Sequence, residues 1–467
     1  MRISEESHLQ ATIKDMKQFE DRLQQLSLKI YPSDALRDFV KIELLPILKD
    51  FQQMLLLQME SLNNGTSQNV SPEIKATINF WWSGNLQSLA NVISNADLKS
   101  SPFEIMGIFK KMISKIDAED FEIITSPTND LNFTFREIWQ QIKIIIENLM
   151  GEPRETNKKL IELTFPAQHK DNIFLSGIFA HEIGHYFDRN KNIWSNIFTR
   201  VAVPGNNYIQ QLKPFFKRHD NIPIDDAEVL AILNNSVLGA WIREAIADCV
   251  AVYLLGPAFI FSSQELLISV LGRTYILTNN IIDSPAPTHP RHGLRLRFQL
   301  ETLKSLQLYD ALPATIQTIL DEIKFDWENA NVHYDQVVLN DQMYSFLLND
   351  NSYRLLEELW RQCLPYVQQE VSSLIGPNVM TTLHIEEAEV LASERIRWLV
   401  PPNEINGQFA NAQAIINSGW FAKLLYTNEI LSLVNRTQQP ESEYELTDII
   451  NGLLKYAIHA SPIHERW

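Results

Sequence analysis

Apolar residues recur every three or four positions over most of this chain, and that spacing predicts helices. Residues 7–28 and 33–60 carry it first, the second stretch with Pro32 near its start. A polar break, NNGTSQNVSP (63–72), follows. SPFEIMGIFKKMISKI (101–116) then opens with a serine suited to cap an amphipathic helix. FEIITS (121–126) and KLIELTFPA (159–167) read as short strands, and TFREIWQQIKIIIENLM (134–150) between them as a helix. In DNIFLSGIFAHEIGHYFDRN (171–190), Phe174, Leu175, Ile178 and Phe179 form one helical stripe. Asp171 is its expected N-cap and Asn190 its expected stop. GAWIREAIADCVAVYLLGP (239–257) is a helix apolar on nearly every side. Further helices are expected at 311–326, 352–375, 384–398 and 441–459, with a break at LVPPNEINGQF (399–409).

Composition agrees with this pattern. The 467 residues include only 15 glycines and are rich in Leu, Ile, Gln and Glu, which favours a mainly α fold, α+β where the strands fall. The length suits two or three domains, and the elements place them at 1–118 (helical), 119–305 (mixed) and 306–467 (helical). A net charge of −17 repels a phosphate backbone, so no nucleic-acid partner is expected. The locally basic RHGLRLRFQLETLK (291–304) is expected to be a solvated helix face. The longest apolar run, CVAVYLLGPAFIF (249–261), contains Gly256 and Pro257 and falls short of the roughly 18 residues a spanning helix needs. With a polar amino-terminal stretch as well, neither a membrane span nor a signal peptide is expected. Two cysteines, Cys249 and Cys363, exclude a disulfide framework and suit a reducing cytoplasm.

The chemistry concentrates in HEIGH (181–185). On a helix, His181 and His185 project from one face, where two imidazoles can hold one Zn²⁺ and Glu182 can take a proton from a water. A catalytic zinc site needs a third protein ligand and an open fourth position. EAIAD supplies Glu244 and Asp248 at i and i+4, two carboxylates on one face of an otherwise apolar helix. Buried carboxylates are rarely unpaired. A metal would resolve the conflict for Glu244, and a hydrogen bond to the distal nitrogen of a ligating histidine would resolve it for Asp248. A purely structural reading pairs Glu244 with Arg243 or makes it a cap.

HEIGH followed by EAIAD resembles the gluzincin zinc peptidases. Thr288, His289 and Pro290 with Arg295 extend the resemblance to the family that includes HtpX and the CAAX prenyl proteases. In that family HExxH, ExxxD and a THP-to-arginine segment occur in this order, and here they span roughly 170–297. The resemblance implies a zincin-like core with a small β-sheet within 119–305. It implies one Zn²⁺ per chain on His181, His185 and Glu244, with Glu182 as general base and Asp248 orienting a ligand. It also points to His289, then Arg295, as stabilisers of the oxyanion; the structural alternatives are that His289 caps its loop and that Arg295 pairs with a carboxylate. Outside the resemblance, Tyr253 and Tyr275 are further candidates. HtpX-like enzymes are membrane proteins, so their setting and substrates are not carried over to a chain without a spanning segment.

The function expected is a soluble, cytoplasmic zinc metallopeptidase, an endopeptidase acting on peptide or protein substrates. The alternatives are a non-enzymatic helical interaction protein with a structural zinc, or a silent enzyme opened by a regulatory protein partner. LIELTFPA (160–167) is either a substrate-binding sheet edge or an ordinary structural strand. Residues 190–223, which mix aromatics with turn residues, either wall the cleft or simply pack.

Overall fold

The structure is a computed structural model. It describes residues 5–31, 34–96, 102–116, 121–129, 133–151, 153, 159–203, 205–271, 282–434 and 443–464. It is mostly helical with small sheets, as the hydrophobic spacing predicts. No helix among the described residues is long and apolar enough to cross a membrane. Contacts divide the chain into two compact units, Met1–Lys170 and Asp171–Trp467. This division groups the strands at 121–166 with the amino-terminal helices, and HEIGH with the carboxy-terminal helices.

In the first unit, helices Glu5–Leu26, Leu45–Asn63, Pro72–Trp82 and Asn85–Asn95 close around a cluster that includes Leu9, Met16, Phe51 and Trp81. The expected helix at 33–60 is present, but Val40–Leu44 forms a π turn within it. Pro46, two residues on, has no N–H to give the preceding turn, so a widened turn relieves its ring. Both predicted strands form, as β1 (Phe121–Thr128) and β3 (Lys159–Pro166). Between them the expected helix at 134–150 begins only at Gln140. Thr134–Glu137 is instead a strand, β2, with Phe135 buried and Arg136 paired with its cross-strand partner Glu162. Sheet pairing overrode a helical sequence there.

The substrate-edge reading of residues 160–167 does not hold. β3 is the central strand, parallel to β1 on one side and antiparallel to β2 on the other. β1 pairs along its whole length and β2 along Ile161–Thr164, so the middle of the strand has no free edge to offer a peptide.

The second unit is built around the helix Val237–Leu255. Of its residues only Ala240 and Arg243 are not buried. A helix apolar all round belongs at the centre of a helical domain, and this one is packed by Ser176–Lys191, Pro257–Leu271, His292–Ser305, Asp350–Ile375 and Ala412–Leu425. Its carboxyl end turns sharply at Gly256, where φ is +57° and a Cβ would meet Met380 Sδ at 2.5 Å. The carbonyls freed by the turn are not left bare. Gln413 Nε2 donates to Leu254 O (2.6 Å), and Asn417 Nδ2 donates to Leu255 O (3.0 Å). Asn417 Oδ1 accepts from Ala258 N (3.0 Å), so one buried side chain serves both sides of the turn. Residues 190–223 form helices Ile193–Val201 and Asn207–Leu212 and a strand Phe216–Arg218 that pairs with Tyr344–Leu348. The break at 399–409 contains a tight hairpin of Glu404–Ile405 and Gln408–Phe409.

Candidate metal centre

The HEIGH helix starts at Ser176 and ends at Lys191, with Asn192 in the left-handed region. The expected caps are displaced at both ends. Asn172, not Asp171, accepts from the backbone, through a short turn at Ile173–Leu175, while Asp171 pairs with Lys455. Asn192 rather than Asn190 provides the stop, because its short amide side chain tolerates φ of +52°.

Two glycines let this helix approach its neighbours. A Cβ on Gly184, the glycine of HEIGH, would fall 2.5 Å from Ala247 Cα, so backbone meets backbone between the two motifs. A Cβ on Gly177 would fall 2.7 Å from Phe259 Cα on the helix Pro257–Leu271. Ala247 lies between Glu244 and Asp248, and this close crossing brings both carboxylates to the histidines.

Glu244 faces both imidazoles. His181 Nε2 lies 3.5 Å from its Oε2, and His185 Nε2 lies 3.4 Å from its Oε1. Donors held about 2.1 Å from a tetrahedral ion lie about 3.4 Å apart, so these separations suit a shared metal. Glu182 brings a carboxylate oxygen within 4.8 Å of a ring nitrogen of each histidine. Glu244 approaches both imidazoles closely, whereas Glu182 completes with them a group of three side chains whose donor atoms lie within 4.8 Å of one another. Glu244 Oε2 is buried and makes no aligned hydrogen bond. Arg295 Nη2 is 3.2 Å from it but out of hydrogen-bonding alignment.

Behind His181 stands Asp248, fully buried. Its Oδ1 is 2.9 Å from His181 Nδ1, although short of ideal hydrogen-bond alignment, so Nε2 is the nitrogen presented to the cluster. Arg295 grips Asp248 with two bonds, Nε to Oδ2 (2.9 Å) and Nη2 to Oδ1 (2.7 Å), and Gln299 Nε2 adds a third (3.0 Å). Phe259 stacks on the His181 ring at 6.0 Å.

These contacts set the charges. Burial alone would raise the Glu244 carboxyl, but Arg295 and the two imidazoles hold it well below its usual range. Asp248 is likewise held down against burial, first by Arg295 and then by His181. Burial disfavours the His181 cation, yet Asp248 and Glu244 raise its pKa to about 10. Arg295 and His181 are the cationic partners that face these two carboxylates. Burial raises the Glu182 carboxyl.

His289 sits at the rim. Thr288 Oγ1 is 2.8 Å from its Nδ1, its Nε2 is 3.5 Å from Glu244 Oε1, and about half of its side chain is exposed. Thus the structure brings His181, Glu182, His185, Glu244, Asp248, His289 and Arg295 together. The guanidinium of Arg295 is committed to carboxylates. Tyr253 is buried, with Ser372 near its hydroxyl, and Tyr275 lies outside the described residues.

The basic stretch at 291–304 is a solvated face only in part, through the exposed Arg297, Glu301 and Lys304. Arg291 and Arg295 are mostly buried in ion pairs, and only Arg297 of its three arginines is half exposed. The reason is that buried carboxylates on neighbouring helices require cations. Gln299 was missed from the sequence, although its i+4 spacing from Arg295 places both on one face.

No protein-family model, no curated protein and no solved structure matches this chain.

Proposed function

We propose that this protein is a zinc-dependent peptidase whose metal is held by His181, His185 and Glu244. The observation that carries the reading is the convergence of both imidazoles on a buried carboxylate, one oxygen of which makes no aligned hydrogen bond, with a further carboxylate behind one imidazole. A structural ion needs no adjacent base, whereas Glu182 places a carboxylate beside these donors.

Bound there, zinc supplies Lewis acidity that polarises a carbonyl and acidifies a water. Glu182 is the group that accepts the proton and passes it to the leaving amine; its raised pKa suits both halves of that transfer. Asp248, gripped by Arg295 and Gln299, fixes the ring of His181. His289 is half exposed at the edge of the cluster and is the side chain available to donate to a developing oxyanion. Arg295 acts through Asp248 and Glu244.

The test is Glu182→Gln. Zinc content should stay near one per chain while cleavage falls about 10²–10⁴-fold, read by mapping new protein termini in cells expressing either form. Equal zinc with identical termini would overturn the reading. A second reading, a structural zinc without turnover, draws on His289: a fourth protein donor there would close the open position. On that reading chelation melts the protein and Glu182→Gln changes nothing.

A further inference from the structure

His289 reaches the metal cluster from a loop, and a loop imidazole is only as useful as its anchorage. The turn that carries it is closed at both ends. Ala286 N donates to His289 O (2.8 Å), and His289 N donates back to Ala286 O (3.2 Å). On the upstream side Trp241 Nε1, one turn before Glu244, donates to Ala286 O (3.0 Å).

On the downstream side the anchor is Arg291, two residues past His289. Its Nε donates to Glu357 Oε1 (2.6 Å) and its Nη2 to Glu357 Oε2 (3.0 Å), a two-pronged pair. Glu357 is buried and also accepts from Tyr334 Oη at 3.3 Å. Arg291 Nη1 is 3.4 Å from Asp283, which is fully buried and caps the next helix through His292 N (2.8 Å) and Gly293 N (3.1 Å). A Cβ on Gly293 would meet Asp283 Oδ2 at 2.8 Å, so a larger residue there would push on the cap.

Glu357 lies on Asp350–Ile375, a helix with no residue in the cluster itself. One stripe of it serves the site's supports. Tyr353 stacks on Trp241, Glu357 holds Arg291, and Trp360 Nε1 donates to Trp241 O (2.8 Å). Residues 353, 357 and 360 follow i, i+4, i+7, one face of a helix. The same helix therefore holds both anchors of the turn, Trp241 and Arg291.

We propose that Arg291 and Glu357 are a positioning pair that fixes the His289 imidazole against Glu244, so that the helix Asp350–Ile375 is part of the site's frame. Removing the pair frees the downstream side of the turn while leaving His181, His185 and Glu244 in place. Its effect on turnover rests on the peptidase reading given above; its effect on His289 does not.

The experiment compares full-length wild type with Glu357→Gln and Arg291→Lys, which keeps the cation and loses the two-pronged geometry. Zinc content, melting and the rate at which diethyl pyrocarbonate modifies His289, read by peptide mapping, are measured on each, followed by cleavage kinetics. Both variants are expected to keep one zinc, to modify severalfold faster at His289, and to lose about tenfold to a hundredfold in kcat with little change in KM. Wild-type modification rates and wild-type kcat in both variants would overturn the proposal. If the wild type shows no cleavage, the His289 rates alone decide the positioning role, and that silence counts against the peptidase reading only. Should Glu357→Gln fail to fold, Arg291→Lys carries the same comparison.

Discussion

Asp188 shows how much one buried carboxylate depends on its partners. It lies three residues past His185, accepts from Trp194 N (2.8 Å), and has its second oxygen buried without a hydrogen bond, 3.7 Å from Arg243. Burial raises its pKa from 3.8 to about 6, in contrast to Asp248, which Arg295 holds down. A carboxyl raised in the fold binds more protons folded than unfolded between those two values. Stability from this group is thus fully present below about pH 4 and is lost as pH rises through about 6. Asp188→Asn keeps the acceptor for Trp194 and cannot ionise. Urea unfolding at pH 4 and pH 7 should show the variant gaining on wild type by about 1–3 kcal/mol across that interval. A difference independent of pH would show that Asp188 does not titrate in this window.

At the scale of elements, the site depends on how closely two helices cross. HEIGH and EAIAD each put their residues on one face by helical spacing, but spacing does not set the separation between helices. Gly184 does, since its missing Cβ admits Ala247 Cα. Gly184→Ala adds one carbon at backbone contact, and neither neighbour is a flexible side chain that can swing away. Overpacking of this kind should destabilise by about 1–3 kcal/mol, measured by denaturant unfolding of the zinc-loaded protein. It should also weaken zinc binding, because the crossing sets the reach of Glu244. Gly65→Ala, at a position with no atom within 4 Å of the added Cβ, controls for the substitution itself, although its φ of +68° adds local strain. Equal zinc affinity for Gly184→Ala and wild type would show that the crossing relaxes without moving the ligands.

At the scale of the whole molecule, all seven named site residues and the pair Arg291–Glu357 fall within Asp171–Trp467, one of the two compact units. The other unit has a hydrophobic cluster of its own, drawn from residues between Leu9 and Leu160. The fragment 171–467 should therefore melt cooperatively and hold one zinc, measured by calorimetry and metal analysis. Aggregation of this fragment, or loss of its metal, would show that the first unit contributes to the fold of the second.

Many helices and the two strands β1 and β3 were legible from periodicity, because a helix declares itself through local spacing, but Pro257–Leu271 and Ala412–Leu425 were not among the helices expected. Also legible were the paired faces of His181 with His185 and of Glu244 with Asp248, which are one helical turn apart in sequence. β2 was not legible, since its strand state comes from pairing with β3 rather than from its own residues. Nor was the burial of Arg291 and Arg295, because a cation's surroundings are set by carboxylates 47 and 66 residues away. The sequence by itself determined which side chains can bind a metal and which helices carry them. Tertiary structure decided how near those helices come, which oxygen of Glu244 makes no aligned hydrogen bond, and which residues hold Asp248 and His289 in place. Backbone spacing is a local property; the meeting of two helices and the pairing of buried charges are properties of the packed chain.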